Sequence, residues 1–296
     1  MSRSRRRHRH RLPRGIRIAL LLGPALAVVG ALFLGGLGLG FAQSLGYRPF
    51  AKGWSWSTAA YSMSWHDRAV RASIGLTLRV AIVSTGVSAV LGVAAALLIR
   101  SLGRGRRLTA ALFQSNLPVP HLVGALSMLL LLQQNGFVSR LTHAAGASPT
   151  PSTCPAVVYD RPGWGIIAEY VWKETPFVGV VVLSALSSGV KDLEDVARTL
   201  GAGAWHRFRH VVLPIITPGV LATSIIVFAF SFGSYEVPYL LGRPYPATLP
   251  VVAYQFFSDV DLNARPQAMA ISVGIAVFVG GLVAAYLAIA QRVVRR

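Results

Sequence analysis

Residues 191–218 read KDLEDVARTLGAGAWHRFRHVVLPIITP, two short polar helical stretches set between long apolar runs. Asp192, Glu194 and Asp195 open the first stretch, where acids complement the positive end of a helix dipole, and Ala197 and Leu200 give it an apolar side. Gly201 breaks it. Ala202, Ala204, Trp205, Phe208, Val211 and Val212 continue an amphipathic pattern, Arg207, Arg209 and His210 take the wetter side, and Pro214 marks entry into the next apolar run. On residue chemistry alone this is an amphipathic hairpin resting on a membrane surface.

The surrounding chain makes that membrane explicit. Of 296 residues, 53% are hydrophobic and 13% charged, more apolar material than one soluble core uses, so an integral membrane protein is expected. The net charge of +19 would suggest nucleic acid in a soluble chain, but here the arginines flank apolar runs, which is how positive charge sets membrane orientation. No nucleic-acid role is expected. Cys154 is the sole cysteine, so no internal disulfide can form; no Cys/His cluster has zinc spacing, and no metal site is expected.

Residues 1–17 are dense in arginine and read as a polar tail that meets anionic lipid headgroups. The apolar runs at 18–43, 72–99, 108–133, 164–186, 215–241 and 269–290 are each long enough to cross a ~30 Å hydrocarbon layer. The first outruns the core of a cleaved signal peptide, about 7–15 residues, so it is expected to remain as a span. Tyr47, Trp54, Trp56, Tyr61 and Trp65 suit an interfacial belt, Arg79 can snorkel from an outer span end, and 134–163 and 242–267 read as outer segments. Basic residues in the tail, in 100–107, in the hairpin and at the C-terminus outnumber those in the opposite segments by more than two to one, which predicts both termini and the hairpin on the cytoplasmic side.

Polar groups inside spans mark candidate sites, because ionisable side chains at membrane depth are costly and turn toward protein or a cavity. Asn116, Pro118, Pro120 and His121 interrupt the third run, with a kink expected. Glu169, Lys173 and Glu174 lie in the fourth; Glu169 and Lys173 are four apart with the acid first, and a structural ion pair is favoured over direct solute contact. Ser231, Ser234, Tyr235 and Glu236 fall late in the fifth, just before Pro238, and are the candidates for a translocation path. Lys52, Lys173 and Lys191 follow Ala51, Trp172 and Val190, so no phosphate-binding Gly-Lys-Ser/Thr exists; H-E-x-x-H and G-x-S-x-G are also absent, and nothing positive suggests an enzyme.

The hairpin resembles the cytoplasmic EAA loop of permease subunits in ATP-binding-cassette (ABC) importers, whose pattern is E-A-A, three residues, Gly, nine residues, I-x-L-P. Here the matching positions are Asp195-Val196-Ala197, Gly201 and Val211-Val212-Leu213-Pro214, with the spacing kept and Asp, Val and Val replacing two letters of the triplet and the Ile. The run FSFGSYEVPYLLG at 230–242 and the ATLP at 247–250 look most like permeases of the spermidine/putrescine type. The resemblance implies an all-α, six-span type I permease fold: a basic tail (1–17), a first transmembrane helix (18–43), a five-helix core (70–291) holding the cytoplasmic coupling loop (191–214), and a cytoplasmic end (292–296). It further implies that Glu194, Asp195, Ala197, Gly201 and Ala202 shape a contact with a separate ATPase, while Leu213 and Pro214 tie the loop to span five. The implied partners are two ATPase subunits carrying ATP-Mg, a second permease subunit (a paralogue favoured), an extracytoplasmic solute-binding protein and the lipid of a bacterial inner membrane, with no cofactor on this chain. A small polar solute, polyamine-like by preference, is expected; the alternatives are a sugar or anion importer, or a stand-alone proton-coupled carrier.

Overall fold

The structure, a computed structural model, describes residues 14–48, 55–150, 152, 157–186 and 189–294. Residues 1–13 of the tail, Trp54, Cys154 and the last two arginines lie outside them. All regular structure among the described residues is helical: α1 (Arg14–Ser44), α2 (Ala59–His66), α3 (Arg68–Ser101), α4 (Arg106–Gln114), α5 (His121–Leu132), α6 (Phe137–Ala144), α7 (Trp164–Leu186), α8 (Val190–Thr199), α9 (Ala204–Arg207), α10 (Leu213–Gly233), α11 (Glu236–Leu241), α12 (Leu249–Phe257) and α13 (Arg265–Val294). Among the described residues five segments are long and apolar enough to cross a membrane: Ile18–Ser44, Arg68–Ser101, His121–Ala144, Ala204–Gly233 and Leu262–Ala290. The sixth expected span is α7, whose three charged residues dilute its apolar surface and whose Ile166, Ile167, Tyr170, Val178 and Val182 are buried in the protein.

The centre of the fold is the pairing of α3 with α7. Asp67 caps α3 by accepting from the N–H groups of Ala69 and Val70, and Ser73, Thr77, Ala81, Ser84, Ser88, Gly92 and Ala96 then recur every three or four residues on the buried face. Small side chains at that interval let a second backbone approach closely, the means by which helices associate where lipid removes the hydrophobic driving force. A Cβ on Gly92 would lie 2.8 Å from Val178 Cβ and 2.9 Å from the Thr175 carbonyl oxygen, and one on Gly179 would lie 2.5 Å from Phe113 Cε1. Two apolar clusters follow along this seam, the second joining Ala96, Val178, Val182 and Leu186 to Val190, Val212, Ile216 and Val227.

Three expected boundaries change. The third run is not one span over 108–133: it breaks into α4 and α5 through residues 115–120, because Pro118 and Pro120 supply no N–H and Pro120 is held extended (ψ 144°). The membrane-length segment is therefore His121–Ala144, which takes α6 from what read as an outer loop. The fifth run ends at Gly233 rather than 241, because the ring of Pro238 would collide with the carbonyl of Ser234 in a continuing helix; Ser234 is extended (ψ 137°) and α11 starts afresh at Glu236. Finally, 242–267 contains α12, whose Leu249, Pro250, Val251, Val252 and Ala253 are buried, with the Leu249 N–H donating to Thr77 Oγ1 at 2.8 Å. Arg79 covers the ring of Trp164 at 5.1 Å, and Trp56 and Trp65 are exposed.

The seam yields a paired test. Ala at Gly86, which has nothing within 4 Å of a new Cβ, should raise stability by about 0.5–1 kcal/mol through reduced backbone entropy. Ala at Gly92 should lower it by about 1–3 kcal/mol through overpacking against α7, read as opposite shifts in the melting temperature of the detergent-purified protein.

Candidate functional site

Two polar features stand apart from the apolar packing, and the first is the hairpin. α8 begins after Gly189 (φ +69°) and ends on Gly201 (φ +83°), where the Gly201 N–H donates to the Arg198 carbonyl and the Ala202 N–H to that of Ala197, both at 3.0 Å. This pair of bonds is a Schellman cap, and its left-handed residue is where glycine is favoured. A Cβ at Gly201 would meet nothing within 4 Å, so its requirement is one of backbone conformation alone. Arg207 Nη1 donates to the Ala202 carbonyl at 2.7 Å and closes the turn.

Val190 and Val212 are buried in the apolar cluster that also holds Ile216, fastening both ends of the hairpin to the spans. Leu213 and Pro214 are exposed and simply begin α10, so the tie expected of them is made by Val212 and Ile216 instead. The second arm runs without a break from α9 through a π-helical turn at Phe208–Val212 into α10. Asp195 is exposed, whereas Glu194 is half-buried and forms an ion pair with Arg100 at the end of α3. The apolar side of α8 faces away from the protein: Leu193, Val196 and Leu200 are 53%, 58% and 82% exposed and fall on one stripe at spacings of three and four.

The second feature lies among the spans. The expected ion pair between Glu169 and Lys173 does not form; the two side chains take separate partners. Lys173 Nζ donates to the carbonyls of Asn116 (2.6 Å) and Leu117 (3.1 Å), in the break between α4 and α5, while Asn116 Nδ2 donates back to the Trp172 carbonyl at 2.8 Å. The broken helix frees carbonyls that need donors, and the ammonium supplies them. Glu169 is fully buried, its oxygens make no hydrogen bond, and His121 Nδ1 stands 3.6 Å from its Oε1. His121 Nε2 stands 3.6 Å from Glu174 Oε1, so one imidazole sits between two carboxylates.

Phe230 packs on His121 with ring centroids 4.4 Å apart and meets Tyr170 edge-on at 6.1 Å. The translocation-path candidates begin one residue later. Ser231 is buried with an unbonded hydroxyl, Ser234 and Tyr235 are half-buried at the break, and Glu236 is exposed at the start of α11. Tyr235 joins Tyr239 (5.0 Å) and Tyr254 (4.6 Å) in a cluster of three rings. These residues thus share the break after α10, and Phe230 carries contact from it to the His121 carboxylate group. Sequence reading treated His121 as part of a kink; the signal available for a wider role was its place at the first position after a Pro-x-Pro break opposite a span with two carboxylates. Among the described residues no cluster of His, Cys, Asp and Glu is arranged to hold a metal ion.

Loss of the Lys173 ammonium leaves two carbonyls without their donor. Lys173→Met should cost about 2–4 kcal/mol and Glu169→Gln clearly less, since that carboxylate gives up no hydrogen bond; thermal unfolding of the two purified variants checks the order.

Known proteins resemble this chain in sequence and in fold. The chain matches the family described as binding-protein-dependent transport system inner membrane component over residues 88–296. It is 30% identical over 236 residues to the putrescine transport system permease protein PotI of Escherichia coli (strain K12), covering 78% of this chain and 77% of that one. With the molybdenum transport system permease protein ModB of Azotobacter vinelandii it is 30% identical over 218 residues, 73% of this chain and 91% of the other. The fold superposes with a TM-score of 0.76, at 19% identity and over 94% of this chain and 96% of the other, on a chain of a bacterial ABC transporter involved in the import of the acidic polysaccharide alginate.

Proposed function

We propose a role from one premise: the chain belongs to the family of binding-protein-dependent transport system inner membrane components, and so is a permease subunit of an ABC importer. The observation that carries the finer reading is the bare apolar stripe of Leu193, Val196 and Leu200 on a helix outside the spans, flanked by acids. Exposed apolar residues grouped on one face mark a protein contact. The partner we assign to it is the ATPase, two copies of which serve two permease subunits. ATP-Mg binds and is hydrolysed on that partner, and this chain contributes no catalytic residue.

Force applied to α8 reaches the spans by three routes present in the fold. Val190 and Val212 are embedded between α3, α7 and α10; the second arm is continuous with α10; and Glu194 is paired with Arg100 on α3. Closure of the ATPase pair would therefore rock α10, with its break at Ser234, against the α3 and α7 pair. An extracytoplasmic binding protein delivers the solute, the second permease is a paralogue, and the assembly sits in a bacterial inner membrane with both termini cytoplasmic, as the basic-residue bias favours.

For the solute we favour a small organic cation of the polyamine kind. Glu169, Glu174 and Glu236 outnumber Lys173, whose ammonium is already engaged by two carbonyls, and three tyrosine rings beside Glu236 offer faces to an ammonium group. The relatives include permeases named for putrescine and for molybdenum, so a binding assay on the accompanying solute-binding protein, putrescine against molybdate, decides the class.

Two substitutions test the docking assignment. Gly201→Asp should leave the chain inserted while uptake falls below about a tenth and the ATPase no longer co-purifies, because an L residue is strained at φ +83°. Leu200→Asp, at a position 82% exposed, should weaken ATPase capture about tenfold, equivalent to about 1.4 kcal/mol, without changing thermal stability. Full uptake with full co-purification in both variants would overturn the assignment.

A further inference from the structure

Where the coupling hairpin meets the spans, the ends of α3 and α7, the start of α4 and the first turn of α8 line an open cavity of about 600 Å³. Leu97 and Leu186 form its apolar floor, and Arg100, Arg106 and Lys191 bring three cations to its wall from three different helices. Glu194 is the one acid on that wall, and it is taken up by the ion pair with Arg100. Arg106 and Lys191 have no hydrogen-bond or ion-pair partner among the described residues, so the cavity keeps an uncompensated positive field. Two cations without a partner on the wall of one cavity favour an anion there.

The position of the cavity selects the anion. It opens where the apolar surface of the spans ends: Leu98 directly follows the lining residue Leu97 on α3, Leu108 and Leu112 follow the lining residue Arg106 on α4, and all three are exposed. α4 is itself amphipathic, with Arg106 and Arg107 at its start and those leucines on another side, the pattern of a helix lying in the headgroup layer. A basic pocket between span ends with acyl-compatible surface next to it has the form of a phospholipid headgroup site. We propose that this cavity binds the phosphate of an anionic phospholipid, held between Arg106 and Lys191, with the acyl chains along Leu98, Leu108 and Leu112. Because Lys191 belongs to α8, the bound lipid pins the coupling helix to the bilayer and makes its position sensitive to lipid composition.

The test uses the full chain purified in neutral detergent and native mass spectrometry with phosphatidylglycerol or phosphatidylcholine as probe. One phosphatidylglycerol should be retained per chain in preference to phosphatidylcholine, and its affinity should fall at least tenfold in Arg106→Gln/Lys191→Gln. The charge-preserving Arg106→Lys/Lys191→Arg should retain it. Arg104→Gln/Arg107→Gln removes the same charge outside the cavity and should change little. Equal retention of the two lipids, undiminished binding in the Gln/Gln variant, or equal loss in the Arg104/Arg107 control would overturn the site. Displacement of the lipid by millimolar inorganic phosphate would make a free anion the occupant, and its release on adding the partner ATPase would make it an acidic protein side chain. Either result would also overturn the proposal.

Discussion

The ammonium of Lys173, set on the carbonyls of Asn116 and Leu117, is the interaction on which the rest of this membrane fold depends. Backbone groups in hydrocarbon must find partners inside the protein, and a helix interrupted by Pro118 and Pro120 cannot satisfy its own. A side chain from α7 does so instead, and in the same stroke fixes α4 and α5 against α7. Asn116 returns the bond to the Trp172 carbonyl, so the junction is held from both sides. That arrangement brings His121 between Glu169 and Glu174 and under Phe230. The polar centre of the spans is thus a product of the break and not an independent feature.

The hairpin shows a different economy. Its two ends are apolar anchors in the deepest cluster, its turn is a glycine cap, and the stripe between them is left bare. Such a surface is costly in a free chain, and the proposed ATPase contact would cover it. The stiff link from α9 to α10 means that a displacement of the hairpin is a displacement of a span.

Much of this was legible in the sequence because local rules suffice for it. α7 was expected at 164–186 and is found at Trp164–Leu186, bounded by Gly163 in a left-handed conformation. Gly201 reads as a helix end because glycine directly after a helical run favours the left-handed cap that is found there. The failures share one cause, which is that hydropathy and short-range spacing do not report on distant partners. Glu169 and Lys173 have the spacing of a helical ion pair, yet the lysine is claimed by carbonyls 56 and 57 residues away. Residues 249–253 read as part of an outer segment because their run is short, and only Thr77, 172 positions earlier, reveals that they are core. The proline breaks were visible as residues, but whether a proline bends a helix or ends it depends on who satisfies the freed groups.

The π turn at Phe208–Val212 carries one further implication. A π turn accommodates one surplus residue within an otherwise α-helical path, and removing it restores the ordinary 3.6-residue winding. The two sides of the turn would then be re-indexed by about 100° about the common axis. The azimuth at which the outer arm leaves the membrane is therefore written in a single amino acid of length, and relatives that differ there by one insertion or deletion would present their outer arms in different compass directions while keeping the same bundle beneath.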